Sequence, residues 1–204
     1  ATGAAPRIVD LDALAPAGAK CAQPTGLDFD PVRPRAYVCS YGSDLVTVLD
    51  VSSSTPAWLG VVRIPAKQVY PRGSGPRTCV VDSAGQFLYV YLQQDKALAR
   101  IDLAALPASG PFDVAVGPGA NLGFELLSGA ERLGRHLFNE ANLSKSGTSS
   151  CASCHVDGHT DGLAWDLSNY LDPQGTARDL LHLGVDVKGP LVTQSTVRLE
   201  ETGP

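Results

Sequence analysis

The apolar positions of this chain change their period near residue 118. Before that point they come in short runs bounded by Gly, Pro, Asp and Ser, such as Arg35-Ala-Tyr-Val-Cys-Ser40, Leu45-Val-Thr-Val-Leu-Asp50 and Phe87-Leu-Tyr-Val-Tyr-Leu92. Runs of β-branched and aromatic residues between such breakers predict strands. In the run from Leu45, apolar side chains fill both alternating sets, so this strand is expected to be covered on both faces, as in stacked sheets. After Gly117-Pro118-Gly119 the spacing lengthens. Over residues 123–139, Phe124, Leu127, Ala130, Leu133, Leu137 and Phe138 fall near one stripe, with Glu131, Arg132 and Arg135 away from it. That pattern predicts an amphipathic helix, and the expected fold class is mixed, β first and then a small all-α part.

The β region contains an internal repeat. Arg35–Val51 aligns without a gap to Phe87–Leu103 at an offset of 52 residues, and the same offset carries Pro24–Phe29 onto Pro76–Val81. Each copy continues into a polar turn, Asp30–Pro34 or Asp82–Gln86. Four-stranded units of roughly 40 to 50 residues are characteristic of propeller blades. The pattern resembles the YVTN-type β-propeller repeat through Gly75-Pro76, Asp82 to Gly85, Leu88-Tyr-Val90 and Ala99-Arg-Ile-Asp102. The first unit departs by lacking a Gly before Pro24, and the second strand of the second unit carries Arg100 inside it. Ile8-Val-Asp-Leu11 is similar to the tail of the same Val-Ile-Asp strand. Residues 1–118 are therefore expected to form about two antiparallel blades of a partial propeller, opening in mid-blade. Because a ring needs four or more blades, the missing ones are expected from a longer chain or a partner; a small open sheet is the alternative.

Composition narrows the partners. The chain has 204 residues, 44% of them hydrophobic, with a formal net charge of −5. No basic cluster offers a face to nucleic acid or an anionic membrane. No apolar run reaches the roughly 18 residues that a membrane span needs, and Ala1–Pro6 lacks the charged and apolar parts of a signal peptide, which leaves a processed leader or a longer precursor as expectations.

The densest chemistry lies in Cys151-Ala-Ser-Cys-His155. A Cys-x-x-Cys-His run is the attachment signature of c-type haem: two thiols add to the two vinyl groups on one porphyrin edge, and the next side chain, His155, is placed to ligate the iron. A redox dithiol should follow a strand, but Asn142–Ser150 is a polar loop, and a structural zinc site needs four ligands, where Cys151, Cys154 and His155 or His159 supply three. One covalent haem c is thus expected, held by Cys151 and Cys154 with His155 as the proximal metal ligand. Covalent attachment of this kind happens outside the cytoplasm in c-type cytochromes, implying a periplasmic, cell-surface or extracellular location. In an oxidising compartment Cys21, Cys39 and Cys79 could form one disulfide with one thiol left over, or all three could be small buried hydrophobes.

Residues 123–204 resemble the first haem domain of the bacterial dihaem cytochrome c peroxidase family. The resemblance rests on Gly134-Arg-His-Leu-Phe138, Asn142–His155, Thr160-Asp-Gly162 and Lys188–Ser195. It implies that residues 119–204 are a c-type cytochrome domain whose tail leads to a second haem domain, that Phe138 and Trp165 lie near the haem, and that the distal ligand comes from the segment after the motif. His182, 27 residues beyond His155, is the leading distal candidate, with His136 on the predicted helix as runner-up and expected to be partly exposed. His159 is expected to be a surface or supporting residue. The chain has no Met, which excludes His/Met ligation within these residues. The expected function is electron transfer with a redox partner protein or further haem subunit, assembled through the β part. The alternative is the N-terminal portion of a dihaem peroxidase-like oxidoreductase, in which Asp161 or Asp166 could serve as a base.

Overall fold

The computed structural model describes residues 8–16, 19–65, 73–144, 146–165, 191–193 and 195–196. The chain divides into two compact units, Ala1–Ser150 and Cys151–Pro204. No helix among the described residues is long and apolar enough to cross a membrane.

The first unit is built on two sheets. One contains β1 (Pro24–Phe29), β2 (Arg35–Ser40), β3 (Leu45–Asp50), β4 (Ala57–Arg63) and β8 (Phe112–Ala115), in that order. The other contains β5 (Pro76–Val81), β6 (Phe87–Leu92), β7 (Ala97–Asp102) and β9 (Ala120–Asn121). The 52-residue offset read from the sequence recurs in the pairing. Pro24 pairs with Ser40, Leu27 with Val38 and Arg35 with Asp50; Pro76 pairs with Leu92, Cys79 with Val90 and Phe87 with Asp102. Even the irregularity after the leading proline is shared, between Pro24 and Gly26 and between Pro76 and Thr78.

The same turn chemistry starts each hairpin. Asp30 Oδ1 accepts the amides of Val32 and Arg33, and Asp82 Oδ1 accepts those of Gln86 and Phe87. An aspartate that binds nearby backbone N–H groups offers the chain a turn in place of a continued strand. Between the second and third strands, Asp44 and Lys96 take the same left-handed conformation, at φ 55° and 48°.

The repeat breaks at the fourth strand. β8 is the 52-residue counterpart of the end of β4, yet it pairs parallel with β4 itself, Gly60 with Phe112 through Arg63 with Ala115. Gly60 and Gly110 permit that approach, since a Cβ on either would collide with Phe112 or with the carbonyl of Leu59, and Arg63 grips both carboxylate oxygens of Asp113 at 2.9 Å. The short β9 takes the place beside β7. The described strands close neither a barrel nor a ring of blades. Ile8–Leu11, expected as the tail of a strand, is also different. Asp10 accepts the amides of Asp12 and Ala13 and caps a short helix, α1 (Leu11–Leu14), while Ile8 is almost fully exposed.

The main core lies between the sheets. Tyr37, Cys39, Val46, Val48 and Val62 of the first sheet meet Cys79, Leu88, Val90, Leu92, Ala99 and Ile101 of the second. β3 is buried on both faces as its sequence predicts: Val46 and Val48 face the second sheet, while Leu45 and Leu49 join smaller clusters with Leu11 and Trp58 on the other side. The two sheets come closest at β1 and β5. A Cβ on Gly26 would lie 2.6 Å from the Cα of Thr78, Thr25 donates its hydroxyl to the carbonyl of Arg77 at 2.8 Å, and the Val81 amide donates to Asp28.

Past Pro118 the chain stays with the sheets. The predicted helix over 123–139 is shorter, α2 (Gly129–Asn139), because Ser128 and Glu131 form a reciprocal capping box that fixes the start; Phe124 and Leu126 before it are exposed. Glu125 joins Lys96 at 3.1 Å and Arg135 at 2.7 Å, and Arg135 also donates to the carbonyl of Gln94. Burial acts upward on Glu125, but hydrogen bonds from Arg135, the Leu127 amide and Lys96 outweigh it and hold the carboxyl down at about 2. These ties carry the compact unit through the composition change at 117–119 to Ser150.

α2 also seats His136, 7% exposed, against Gly73, where any Cβ would collide with the imidazole. The partly exposed helix histidine expected from sequence is thus a buried one. It lines a small pocket with Asp44, Gln94, Asn139 and Glu140. Asp44 is half-buried, and its Oδ1 accepts the Gly75 amide at 2.9 Å. Burial, with the charges of Glu140 and Asp95 in support, raises its carboxyl from 3.8 to about 7. Burial likewise lowers the pKa of His136, against the pull of Asp95 and Glu140.

Two outcomes are expected. Gly26→Ala forces β1 and β5 apart and lowers Tm by several degrees, from an overpacking cost of roughly 1–3 kcal/mol, whereas Gly134→Ala, at an exposed helical site with open space around it, leaves Tm unchanged or slightly raised. For Asp44, the folded state holds the extra proton between 3.8 and about 7, so stability falls as pH rises through that window. His136 works the other way: the unfolded chain protonates first, so its contribution is lost as pH falls below the ordinary histidine value. Asp44→Asn keeps the acceptor for Gly75 and tolerates the left-handed backbone. It should raise Tm at about pH 8 by roughly 5 °C or more and leave a stability that declines only on acidification, as followed by circular dichroism melts across pH.

Candidate functional site

The second unit begins at the motif. Cys151–Cys154 form a single helical turn, α3, and the His155 amide donates to the Cys151 carbonyl at 2.9 Å, continuing the helical spacing by one residue. Residues three and four apart lie on one helix face, so this turn groups Cys151, Cys154 and His155. Cys151 is exposed and Cys154 half-buried, and both are free thiols. Burial raises the Cys154 pKa, with the Asp161 carboxylate and Cys151 adding to it. His155 is half-buried.

Beyond His155 the helix cannot continue. Asp157 takes φ 53° and Gly158 φ 80°, left-handed conformations that end a helical turn. The Asp161 amide then returns to the Cys154 carbonyl at 3.1 Å, and Asp161 Oδ1 accepts the amide of Leu163. Asp161, weighed from sequence as a base, thus acts in a turn that backs onto the motif.

A distant segment closes the loop. β10 (Ala164–Trp165) pairs antiparallel with β11 (Leu191–Val192). Thr160 donates its hydroxyl to the Thr193 carbonyl at 2.6 Å, and Thr196 gives both its amide and its hydroxyl to the Gly158 carbonyl. Residues 191–193 and Thr196 therefore brace the residues that follow the motif, and the first three fall within Lys188–Ser195, whose resemblance implied a lead into another domain. Sequence reasoning missed Thr160, Thr193 and Thr196 as supports, because two of their partners are backbone carbonyls that no side-chain pattern announces.

The residue set fits haem c. Two accessible thiols stand at the ends of one turn and an imidazole follows immediately, and the apolar side chains of Val156 and Leu163 nearby are 51% and 54% exposed, surface of the kind an apolar macrocycle covers. Among the described residues no three His, Cys, Asp or Glu side chains converge as ligands for a metal ion, so they offer no zinc cage.

The other named candidates are spread. Phe138 is half-buried on α2, in the same compact unit as the sheets. His136 sits in the pocket with Asp44 and Glu140. Trp165 pairs through its backbone in β10 opposite Leu191. His159 is exposed and donates its amide to the Val156 carbonyl. His182 and Asp166 lie outside the described residues.

With this geometry in place, comparison with known proteins is specific over one stretch. No curated protein and no solved structure gives a significant match. The family model described as di-haem cytochrome c peroxidase matches residues 128–184, which include Phe138, Cys151, Cys154, His155, Trp165 and His182. Across that stretch the chain is similar to a haem-protein family of oxidoreductase character, in agreement with the attachment motif.

Proposed function

We propose that this chain is an exported c-type cytochrome carrying one covalently bound haem for electron transfer. The observation that supports it most directly is the single turn presenting Cys151 and Cys154 to one side with His155 next in line. In this reading the two thiols tether the porphyrin edge, His155 is the proximal ligand, and His182 is the leading distal ligand with His136 as the runner-up. The Asp161 turn and the Thr160 and Thr196 contacts hold the motif loop in place. When bound, haem c supplies an iron that cycles between ferric and ferrous states at a potential set by its axial ligands and surroundings. Phe138 and Trp165 would shield it.

Residues 119–204 would then be the cytochrome module, a reading favoured by the span of the family match. Residues 1–118 would be the start of a larger propeller, favoured by the shared 52-residue register of the two sheets. The first sheet supports assembly through this part. Its outer side carries an open groove of about 490 Å³ lined by Leu11, Leu27, Phe29, Val38, Leu49 and Val51, where another blade or a redox partner could pack.

The second reading, the N-terminal portion of a dihaem peroxidase-like oxidoreductase acting on peroxide, is favoured by the family match itself. It needs a second haem supplied from beyond these residues. The two readings differ in what the iron does with peroxide.

Optical and low-temperature EPR spectra of the intact protein separate them. The electron carrier predicts a low-spin signal that peroxide leaves unchanged; a high-spin iron converted by peroxide to a higher-valent species selects the peroxidase. Cys151→Ala with Cys154→Ala should abolish the covalent haem band on a denaturing gel. His182→Ala should turn the low-spin signal high-spin while the covalent band remains, and if only His136→Ala does so, the distal assignment moves to His136.

A further inference from the structure

Three cysteines take no part in the haem motif, and the fold sorts them. Cys21 packs on one side of the first sheet with Leu45 and Val61, where its Sγ lies 3.1 Å from Thr47 Oγ1. Cys39 and Cys79 belong to the cluster on the other side, between the two sheets, at 0% and 4% exposure. Cys21 is therefore separated from both by the thickness of the first sheet.

The other two meet. Gly26, the cross-strand partner of Cys39 in β1, approaches β5 so closely that a Cβ on it would lie 3.4 Å from the backbone nitrogen of Cys79. The Cys79 thiol donates to the carbonyl of Tyr37, two residues before Cys39 on β2, at 3.5 Å. Both are thiols in this structure, and they share one buried cluster between the sheets. Two neighbouring thiols inside an apolar core, one from each sheet, have few competing partners.

We propose that Cys39 and Cys79 are joined as a disulfide that staples the first sheet to the second, and that Cys21 remains a thiol. The assignment rests on the exported location proposed above, because only an oxidising compartment maintains such a bond. The oxidant is a disulfide donor, protein or small molecule, acting by thiol–disulfide exchange before the sheets close. One cysteine thiolate attacks the donor disulfide, forming a mixed disulfide and releasing one donor thiolate. The second cysteine then attacks the protein sulfur of that mixed disulfide, forming the Cys39–Cys79 bond and releasing the other donor thiolate. The two electrons pass to the donor, which ends as a dithiol with the two protons that the cysteines give up.

The consequence is mechanical. The bond closes a loop of about 40 residues holding β3, β4 and the link between the sheets, and on a chain-entropy account a loop of that size is worth roughly 10 °C in Tm for a chain of this length. Burial also raises the pKa of Cys21, against a hydrogen bond from Thr47, which keeps the remaining thiol unreactive in the folded state.

The test is thiol mapping by mass spectrometry on the intact exported protein, denatured and alkylated without reductant. The expected result is one alkylated cysteine, Cys21, with the Cys39 and Cys79 peptides cross-linked and the Cys151–His155 peptide carrying a haem adduct; after reduction, Cys39 and Cys79 also take label. Alkylation of Cys39 and Cys79 before reduction, with the haem adduct in place, overturns the disulfide and leaves the cytochrome reading standing. Cross-linked Cys39 and Cys79 beside alkylated Cys151 and Cys154 does the reverse. As a second readout, reductant should lower the Tm of the wild type and of Cys21→Ala by roughly 10 °C and leave the double variant Cys39→Ala, Cys79→Ala unmoved. A wild-type Tm indifferent to reductant would also overturn the proposal.

Discussion

The close approach of β1 to β5 is the constraint on which the first unit depends. Two sheets normally stack about 10 Å apart with side chains between them, but at Gly26 there is room for no side chain, since the Cα of Thr78 lies 2.6 Å from where a Cβ would sit. Around that pinch the contacts are polar and backbone-directed: Thr25 to the carbonyl of Arg77, and Asp28 to the amide of Val81. They fix the register of one sheet on the other. Farther along, Tyr37, Val46 and Val48 can then interdigitate with Leu88, Val90 and Ile101. Hydrophobic burial supplies most of the free energy of such a core, but it is non-directional. The glycine and the hydrogen bonds around it select this arrangement among those that would bury similar area.

Much of this was readable in the chain, for a physical reason. A repeat of strands and turns shows in sequence because each turn needs its own chemistry: the Asp30 and Asp82 side chains bind backbone amides near the start of each hairpin, and short apolar runs fill the strands between such turns. The same reasoning failed where a strand's partner is chosen by tertiary contact. β8 stands 52 residues beyond the end of β4 and yet lies along β4 itself, where Gly60, Gly110 and the Arg63–Asp113 pair fit the two strands together. Ile8–Leu11 reads as a strand end, but Asp10 finds amides of its own to cap. A hydrophobic run states that a segment must be covered; it does not say by what.

The candidate site shows the opposite balance. Cys151, Cys154 and His155 stand out from spacing alone, because the covalent attachment proposed for them would demand that spacing, and a helical turn with its amide bond to Cys151 groups them. Its supports were invisible. Thr160 and Thr196 act through carbonyls at Thr193 and Gly158, and threonines in a polar stretch carry no signal of that kind. His136 is a similar case: its helix position suggested partial exposure, while the space that buries it comes from Gly73, far away in sequence.

In α2 the family similarity and the packing of the sheets overlap. The family match starts at residue 128, which is the cap of this helix, so the similarity to haem proteins begins where the capping box begins. Yet Arg135 and His136 on the same helix are committed to Gln94, Glu125 and Gly73 within the β unit. A boundary drawn at the composition change near 118 would expose the buried His136 and strip Glu125 of Lys96. The helix at which the family similarity begins is thus packed on the sheets, and removing them would leave α2 with an uncovered histidine, a Glu125 without Lys96 and no counterface.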